Sequence, residues 1–290
     1  AVPLPFTRPA TAAALALAVG LVALPACKKK SKPTEPAPST TPNVSVPEPS
    51  SVDVPGQAAT AGGYVPPPPP RTPVFGGQGP RVAAARAAVE GNMRQIVIGM
   101  HNFHDANNAL PGGYADRSGK PGLSWRVALL PYIEQDALFR QFKLDEPWDS
   151  EHNRKLIPQM PKQLAPHNES TNGYTFVRGF TGPNTWLPPQ AQTGRPGQPL
   201  LGVRITQISD GSSNTAVVAD AGEPVIWTKP DEVAFAPGRA PKLGGMFDSG
   251  VLVGLADGTV RFVRRNAAPD LFPKLIQIND GGIVRPTSDA

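Results

Sequence analysis

Residues 81–106, RVAAARAAVEGNMRQIVIGMHNFHDA, decide the fold of this chain. Their apolar side chains recur at steps of three or four residues, which places them on one stripe of an α-helix. They are Val82, Ala85, Val89, Met93, Ile96, Met100 and Phe103. Pro80 precedes the run, and the NNALPGG that follows it contains the Asn, Pro and Gly residues that end helices. We therefore predict an amphipathic helix about 40 Å long, whose apolar stripe needs a partner surface.

The later part of the chain has the pattern of short β-strands. From Tyr174 onward, segments rich in Val, Thr and aromatic residues are separated by Gly, Pro and Asn. These segments are YTFVRG, TAVVAD, PVIWT, GVLVGLA and TVRFV. Asp257-Gly258, between the last two, predicts a tight hairpin with a type I′ turn. The expected fold class is α+β, with the long helix packed on a mostly antiparallel sheet.

Residues 124–142 lie between the helix and the strands and predict two short extra helices. Ser124 is a suitable N-cap for the first, and Pro131 separates it from the second. The segment is rich in aromatic and aliphatic residues, beginning with Trp125. We expect these side chains to pack across the end of the long helix rather than stack on a ligand.

The composition indicates that a folded domain follows a segment of low complexity. The 290 residues include 37 Pro and 29 Gly, but only 7% are aromatic. Residues 28–80 contain PTEPAPSTTPNVSVPEPSSVDVP and a run of five prolines. We assign residues 28–80 to a Pro-rich disordered linker and residues 81–290 to one α+β domain. Recognition of the prolines at 66–70 by a partner is an alternative that the sequence does not favour.

Residues 1–27 resemble the signal peptide of a bacterial lipoprotein. Arg8 is followed by an apolar run at residues 10–24, which is short for a permanent membrane span. The run ends in LPAC, which resembles a lipobox and holds the single cysteine of the chain, Cys27. We expect lipidation of Cys27 to anchor the protein to a membrane of the cell envelope, on its extracytoplasmic side. An ordinary signal peptide with an incidental cysteine is the alternative.

The charge distribution argues against nucleic acid as a partner. The net charge is +5, but basic and acidic residues nearly balance from residue 81 onward, whereas nucleic-acid binding needs a dense basic face. The lysines within residues 28–32 either contact anionic lipid headgroups or are simply solvated. The expected partners are the membrane, through Cys27, and envelope proteins or glycans.

The sequence carries no recognisable signature of an enzyme. It lacks a Gly-x-Ser-x-Gly elbow, a phosphate-binding loop and a His-Glu-x-x-His motif. His101, His104 and Asp105 are close in sequence, but the spacing provides no clear third metal ligand. Residues 210–214, DGSSN, are better interpreted as a turn than as a cation loop. We expect no catalytic residue, no metal and no cofactor.

Two tryptophans and a carboxylate are the weak candidates for a ligand-binding pocket. Trp186 and Trp227 supply large apolar surfaces, and Asp231 follows Trp227 closely in the chain. Packing in the core or in a loop is the more ordinary use of such tryptophans.

Seven segments of this sequence together resemble the bacterial family called DUF1559. They are NMRQIVIGMHNFHDANNALPGG, SWRVALLPYIEQDALFRQF, EPWDSEHN, MPK, ISDGSSNTAVVADAGEPVIWTKPDEV, PKLGGMF and LADGTVRFV. They span most of residues 81–286, in the order of the family. The resemblance implies a scaffold like that of type IV pilins, in which a prepilin helix is followed by an antiparallel sheet. The family also carries a solute-binding label, and it implies no established catalytic or binding residues.

The sequence departs from the family in three places. A lipobox and a Pro-rich linker replace the prepilin signal and the apolar first half of the pilin helix, so assembly into a pilus through that helix is not expected. Phe247 stands where the family carries a histidine before its Asp-Gly turn, and Ala165 stands where it often carries a cysteine. Any role of that histidine or cysteine is therefore in doubt for this chain.

The first functional hypothesis is a non-catalytic structural or interaction domain, carried by an envelope-anchored lipoprotein. The alternative is an extracytoplasmic binding protein for a small solute or a glycan. A binding protein should have a pocket with convergent polar groups, lined by Trp186 or Trp227. An interaction domain should instead have a shallow surface with an exposed apolar patch.

Overall fold

The computed structural model describes residues 64–69, 75–77, 79–165, 172–189, 192–239 and 241–282. The predictions for residues 1–27, including Cys27, lie outside these described residues. So do those for residues 28–63.

The long helix, α1, spans Pro80–Asn107, as predicted to within one residue at each end. Pro80 occupies its first turn, where a missing N–H is tolerated. Its C-cap is Asn108, which adopts the left-handed conformation with φ of 56°. The predicted stripe is buried from Ala85 to Phe103, and Val82 is half-buried.

The strands of the described residues form two antiparallel sheets and a short parallel pair. In chain order they are β1 (Pro111–Ala115), β2 (Pro121–Leu123), β3 (Tyr174–Arg178), β4 (Phe180–Thr181), β5 (Pro199–Leu201), β6 (Ala216–Ile226), β7 (Val233–Ala234), β8 (Gly250–Leu255) and β9 (Val260–Arg264). The larger sheet has the order β3-β6-β8-β9 and the smaller one β2-β1-β5. Strands β4 and β7 pair in parallel.

Helix α1 packs directly on the larger sheet. A Cβ added to Gly254 of β8 would lie 2.8 Å from the side chain of Val97 and 3.3 Å from that of Met93. At the neighbouring strand β9, the guanidinium of Arg86 lies 4.6 Å from the ring centroid of Phe262. The predicted α+β class, with a long helix against an antiparallel sheet, is confirmed.

Strands β8 and β9 form the predicted hairpin, but the predicted turn type is wrong. A type I′ turn needs positive φ at both central residues, and Asp257 is not among the described residues with positive φ, whereas Gly258 has φ of 91°. The N–H of Gly258 donates to the carbonyl of Leu255 at 3.1 Å, and the N–H of Leu255 donates to Thr259 at 2.8 Å. This is the pattern of a three-residue loop with a glycine bulge.

Short helices connect these layers. They are α2 (Trp125–Ala128), α3 (Asp136–Phe139), α4 (Leu271–Ile276) and, among the 3₁₀ segments, Leu130–Ile133 and Asn153–Gln159. Ser124 caps α2 as predicted, because its Oγ accepts a hydrogen bond from the N–H of Arg126 at 3.3 Å. Pro131 lies in the 3₁₀ segment between α2 and α3.

Two pieces of the segment assigned to the linker lie on the domain. Tyr64 and Phe75 both pack against its hydrophobic core. The N–H of Phe75 donates to the carbonyl of Met246 at 2.8 Å, and the Phe75 ring stacks on Phe247 with centroids 5.6 Å apart. Among the described residues of the assigned linker, Tyr64 and Phe75 therefore contact the domain, while disorder in the rest of the linker stays a prediction.

A carboxyl group is buried on the central strand β6. Asp220 is 1% exposed, and burial raises its pKa to about 7, against a smaller lowering by the backbone of Met246. The carboxyl therefore takes up a proton near neutral pH, which removes a charge from the interior.

Ile96 and Ile98 provide a matched test of the packing of α1. Ile96 is fully buried and Ile98 is 49% exposed on the same helix. Ile96→Ala should lower the free energy of unfolding by about 2–5 kcal/mol, because it removes buried methyl groups and leaves a cavity. Ile98→Ala should change it by less than about 0.5 kcal/mol. Urea denaturation measures both, and equal losses would contradict the described packing.

Candidate functional site

A cleft of about 330 Å³ opens between the smaller sheet and the segment that leads into β7. Its walls include Trp125 of α2, Thr181 of β4, Gln192 and residues 229–232. This volume lies at the lower end of the range of small-molecule pockets. The cleft is therefore large enough for one small molecule.

A buried ion pair fixes one wall of the cleft. Arg126 is completely buried, and its Nη1 donates to Oε1 of Glu232 at 2.8 Å while its Nη2 donates to Oε2 at 3.2 Å. The Nε and Nη2 groups also donate to the carbonyl of Val177, at 2.9 and 2.8 Å. Burial lowers the pKa of Arg126, and the charge of Glu232 opposes that shift.

Glu232 has a second donor besides Arg126. The backbone N–H of Gly179 donates to its Oε2 at 2.5 Å, and the side chain is only 5% exposed. Both carboxylate oxygens are thus held by donors within the domain. This arrangement ties α2 to β3 and to the segment before β7, and it makes Glu232 a structural anion.

Asp231, at the mouth of the cleft, is held in a similar way. Its Oδ1 accepts from Nη2 of Arg178 at 2.7 Å, and its Oδ2 accepts from Nζ of Lys229 at 2.7 Å. The carboxylate is 34% exposed and Lys229 is 42% exposed. Because this pair is partly solvated, it can exchange its partners with a bound molecule more readily than the Arg126 pair.

Trp125 lines the cleft with its aromatic ring. Its Nε1–H is buried and has no hydrogen-bond partner among the described residues. The ring meets Trp186 edge to face, with centroids 6.2 Å apart, and Gly179 makes room for this pair, since a Cβ there would lie 2.6 Å from Trp186. The nitrogen itself is shielded from solvent, so it is the ring of Trp125, and not its N–H, that the cleft offers to a bound molecule.

The structure separates the three residues that the sequence offered as pocket candidates. Asp231 lines the cleft. Trp186 lies behind Trp125 and is fully buried. Trp227 belongs to the core, where its Nε1 donates to the carbonyl of Ile157 at 2.9 Å. Neither Trp186 nor Trp227 lines the cleft.

Sequence reasoning missed Trp125 as a site residue, because it assigned that residue to packing. The predicted packing role is confirmed, since Trp125 is only 1% exposed and belongs to the core cluster. Trp125 also lines the cleft together with Glu232, and no local pattern predicts that residues so distant in the chain share a cleft.

The weaker candidates are engaged elsewhere. The Nε2 of His104 lies 3.2 Å from the backbone N–H of Ile205 and accepts its hydrogen bond. Within the described residues, no group of three or more His, Cys, Asp or Glu side chains is placed to hold a metal ion. The Nδ2 of Asn214 donates to the carbonyl of Asp210 at 3.0 Å, which agrees with the interpretation of residues 210–214 as a turn. The carboxylate of Asp210 accepts from the more distant N–H groups of Asp280 and Gly281, at 2.7 and 2.9 Å.

Phe247, at the position of the family histidine, is an apolar core residue. It is fully buried and lies between the rings of Phe75 and Phe262, at centroid distances of 5.6 and 6.1 Å. The surroundings of Phe247 therefore serve packing. Ala165, at the position of the family cysteine, is half-buried at the end of a short 3₁₀ segment.

Comparison with known proteins gives one match. The family model SBP_bac_10, described as protein of unknown function (DUF1559), matches residues 78–245, which is more than half of the chain. The searches of curated proteins and of solved structures returned no match. Among the described helices, none combines the length and the apolar character that crossing a membrane requires.

Because the pair of Arg126 and Glu232 is buried, the loss of one of its charges should destabilise the domain strongly. Glu232→Gln leaves the Arg126 charge buried without a counter-charge, so the free energy of unfolding should fall by about 3–5 kcal/mol. Glu151→Gln is the control, because Glu151 and its partner Lys155 are 80% and 68% exposed, and exposed pairs contribute little. Urea denaturation of both variants is the measurement. Similar midpoints for Glu232→Gln and the unchanged protein would show that the pair does not hold the site together.

Proposed function

The chain belongs to the DUF1559 family, and on that basis we propose that it is a lipoprotein of the cell envelope whose domain binds a small polar solute without transforming it. Anchoring is through Cys27, and the domain lies on the extracytoplasmic side of the membrane. The solute, a sugar or an amino acid, occupies the cleft beside Trp125. The proposal has two parts, the anchor and the binding site, which rest on different observations.

The anchor is supported by the order of the N-terminal segments. An apolar run ends in the lipobox-like LPAC, with the only cysteine of the chain at its last position. A segment rich in proline and a domain from residue 81 follow. Lipid chains on Cys27 would replace the apolar half-helix by which a pilin is held in the membrane.

Metabolic labelling tests the anchor. Full-length protein produced in a bacterium that is fed a labelled fatty acid should incorporate the label, and Cys27→Ser should abolish it, because the thiol is the acceptor. Ala26→Gly is the control, since it keeps a small residue before the cleavage point and should retain the label. Unlabelled wild-type protein in the soluble extracytoplasmic fraction would contradict the anchor.

The binding site is supported above all by the cleft itself, whose walls combine the ring of Trp125 with several polar side chains. Thr181 and Gln192 add a hydroxyl and an amide to the same walls, and Asp231 with Lys229 adds an ion pair. Several polar groups around an apolar ring favour a polar solute with several hydrogen-bonding groups.

We propose binding without a reaction because of the way in which the carboxylates of Glu232 and Asp231 are bonded. Both oxygens of Glu232 accept hydrogen bonds from groups of the domain, and so do both oxygens of Asp231. A general base needs an oxygen within reach of the substrate proton. The oxygens of Glu232 are buried and bonded within the domain, and the proposal uses the partly exposed Asp231 to bind the solute and not to accept a proton from it.

The described surface gives little support for docking through an apolar patch. Its large exposed apolar side chains are Val65, Ile98 and Leu201, on three separate segments. A solute-binding role therefore fits this surface better than the structural role that was our first hypothesis.

Thermal unfolding in the presence of sugars and amino acids tests the binding site. A solute that binds the folded state should raise the midpoint by several degrees at concentrations far above its Kd. Gln192→Ala should weaken the binding of that solute by about fivefold, as expected for one lost hydrogen bond. Gln95→Ala, on the exposed face of α1, should leave its affinity unchanged.

Two outcomes would contradict this proposal. If no sugar or amino acid shifts the midpoint, the cleft does not bind the proposed solutes. If a solute binds and is then converted to a product, the domain is an enzyme.

A further inference from the structure

The segment 64–69, YVPPPP, lies against a set of aromatic and basic side chains on the domain. The ring of Tyr64 meets Trp148 edge to face, with centroids 6.1 Å apart, and the guanidinium of Arg154 lies 5.9 Å from the same ring. Further along, the hydroxyl of Tyr174 donates to the carbonyl of Pro67 at 2.5 Å. Three contacts, at the two positions Tyr64 and Pro67, thus hold these six residues.

These contacts match the chemistry that a proline run presents. A proline has no N–H, so its carbonyl is the group through which it can form a hydrogen bond. A run of prolines is already extended before it binds, so it loses little conformational entropy on binding. Aromatic-lined surfaces recognise such segments for this reason. Burial and the neighbouring Tyr64 raise the pKa of Tyr174, so its hydroxyl remains a donor at neutral pH.

The surface that receives the segment is organised by contacts within the domain. Trp148 donates its backbone N–H to the carbonyl of Gly122 at 2.9 Å. The fully buried Asn153 holds the loop before Arg154, because its Nδ2 donates to the carbonyls of Lys143, Glu146 and Pro147 at 2.9 to 3.1 Å. Tyr174 opens strand β3. Hydrogen bonds within the domain and strand β3 therefore position the receiving residues.

The segment itself is held lightly. Val65 is 86% exposed, and the prolines at positions 67–69 are exposed as well, while Tyr64 and Pro66 are half-buried. A segment with two anchoring points and an exposed outer face can leave its surface without disturbing the core.

We propose that Trp148, Arg154 and Tyr174 form a recognition surface for polyproline segments, and that the chain's own residues 64–69 are its occupant. This surface is separate from the cleft beside Trp125 and is independent of the proposed function. Because the occupant belongs to the same chain, its effective concentration is in the millimolar range, so another proline-rich segment must compete with it.

The test uses the full chain with residues 64–69 replaced by a Gly-Ser repeat. Calorimetric titration with the synthetic peptide YVPPPPP should show one peptide bound per chain, and the unchanged protein should bind it at least tenfold more weakly, since its surface is occupied. Tyr174→Phe in the Gly-Ser chain keeps the ring and removes the hydroxyl, so the peptide should bind about fivefold more weakly. The thermal midpoint of each variant shows that it is folded.

Three results would overturn the proposal. One is the absence of binding by the folded Gly-Ser chain. Another is equal binding of YVGSGSG, which has no prolines. The third is a concentration-dependent dimer of the unchanged protein that Tyr64→Ala dissociates, because residues 64–69 would then occupy the surface of a second copy.

Discussion

The close contact of α1 with its neighbours on two sides is the constraint on which the rest of the structure depends. On one side, Gly254 lets the helix rest on β8. On the other, a Cβ on Gly99 would lie 2.8 Å from the side chain of Ile133. A larger residue at either position would push a layer away from the apolar stripe and expose it to water. The stripe therefore fixes both the larger sheet and the 3₁₀ segment Leu130–Ile133.

This constraint reaches the cleft through a short chain of contacts. The 3₁₀ segment follows α2 directly, and α2 places Trp125 and Arg126 side by side. Arg126 then bonds to the carbonyl of Val177 in β3 and to Glu232 before β7. One wall of the cleft is thus positioned by the core of the domain, which favours a preformed site over one that a ligand must assemble.

The sequence predicted the features that depend on local periodicity. The ends of α1, the hairpin at Asp257-Gly258 and the cap at Ser124 follow from spacing and residue type within a few positions. The turn type was wrong, because Asp257 is stabilised without positive φ by its own side chain, whose Oδ1 accepts from the N–H of Thr259 at 2.9 Å. Side-chain bonding of this kind competes with the backbone preference that the dipeptide suggests.

Much of the candidate site could not be predicted, because it depends on pairs that are distant in sequence. Arg126 and Glu232 lie 106 residues apart, and nothing in either local pattern marks one as the partner of the other. Trp186 and Trp227 are equally plausible in sequence, yet one lies behind the cleft and the other in the core. Tyr174 and Pro67 are also 107 residues apart. The sequence pattern around the prolines therefore indicates only a linker, although some of these prolines lie on the domain.

The docked segment also changes what the proposed anchor can do. Phe75 stays bonded to Met246 when residues 64–69 leave their surface, so the free linker would be residues 28–74, which could extend to about 145 Å, whereas a chain held at Tyr64 leaves residues 28–63, which could extend to about 110 Å. As flexible coils, the two would differ far less, roughly 38 Å against 33 Å. Docking would therefore limit the greatest distance that the domain can reach from its membrane, and would hardly alter its average distance. A competing proline-rich segment that displaced residues 64–69 would then mainly increase the greatest distance between the domain and its membrane. The domain could in this way reach partners that lie far from its own anchor.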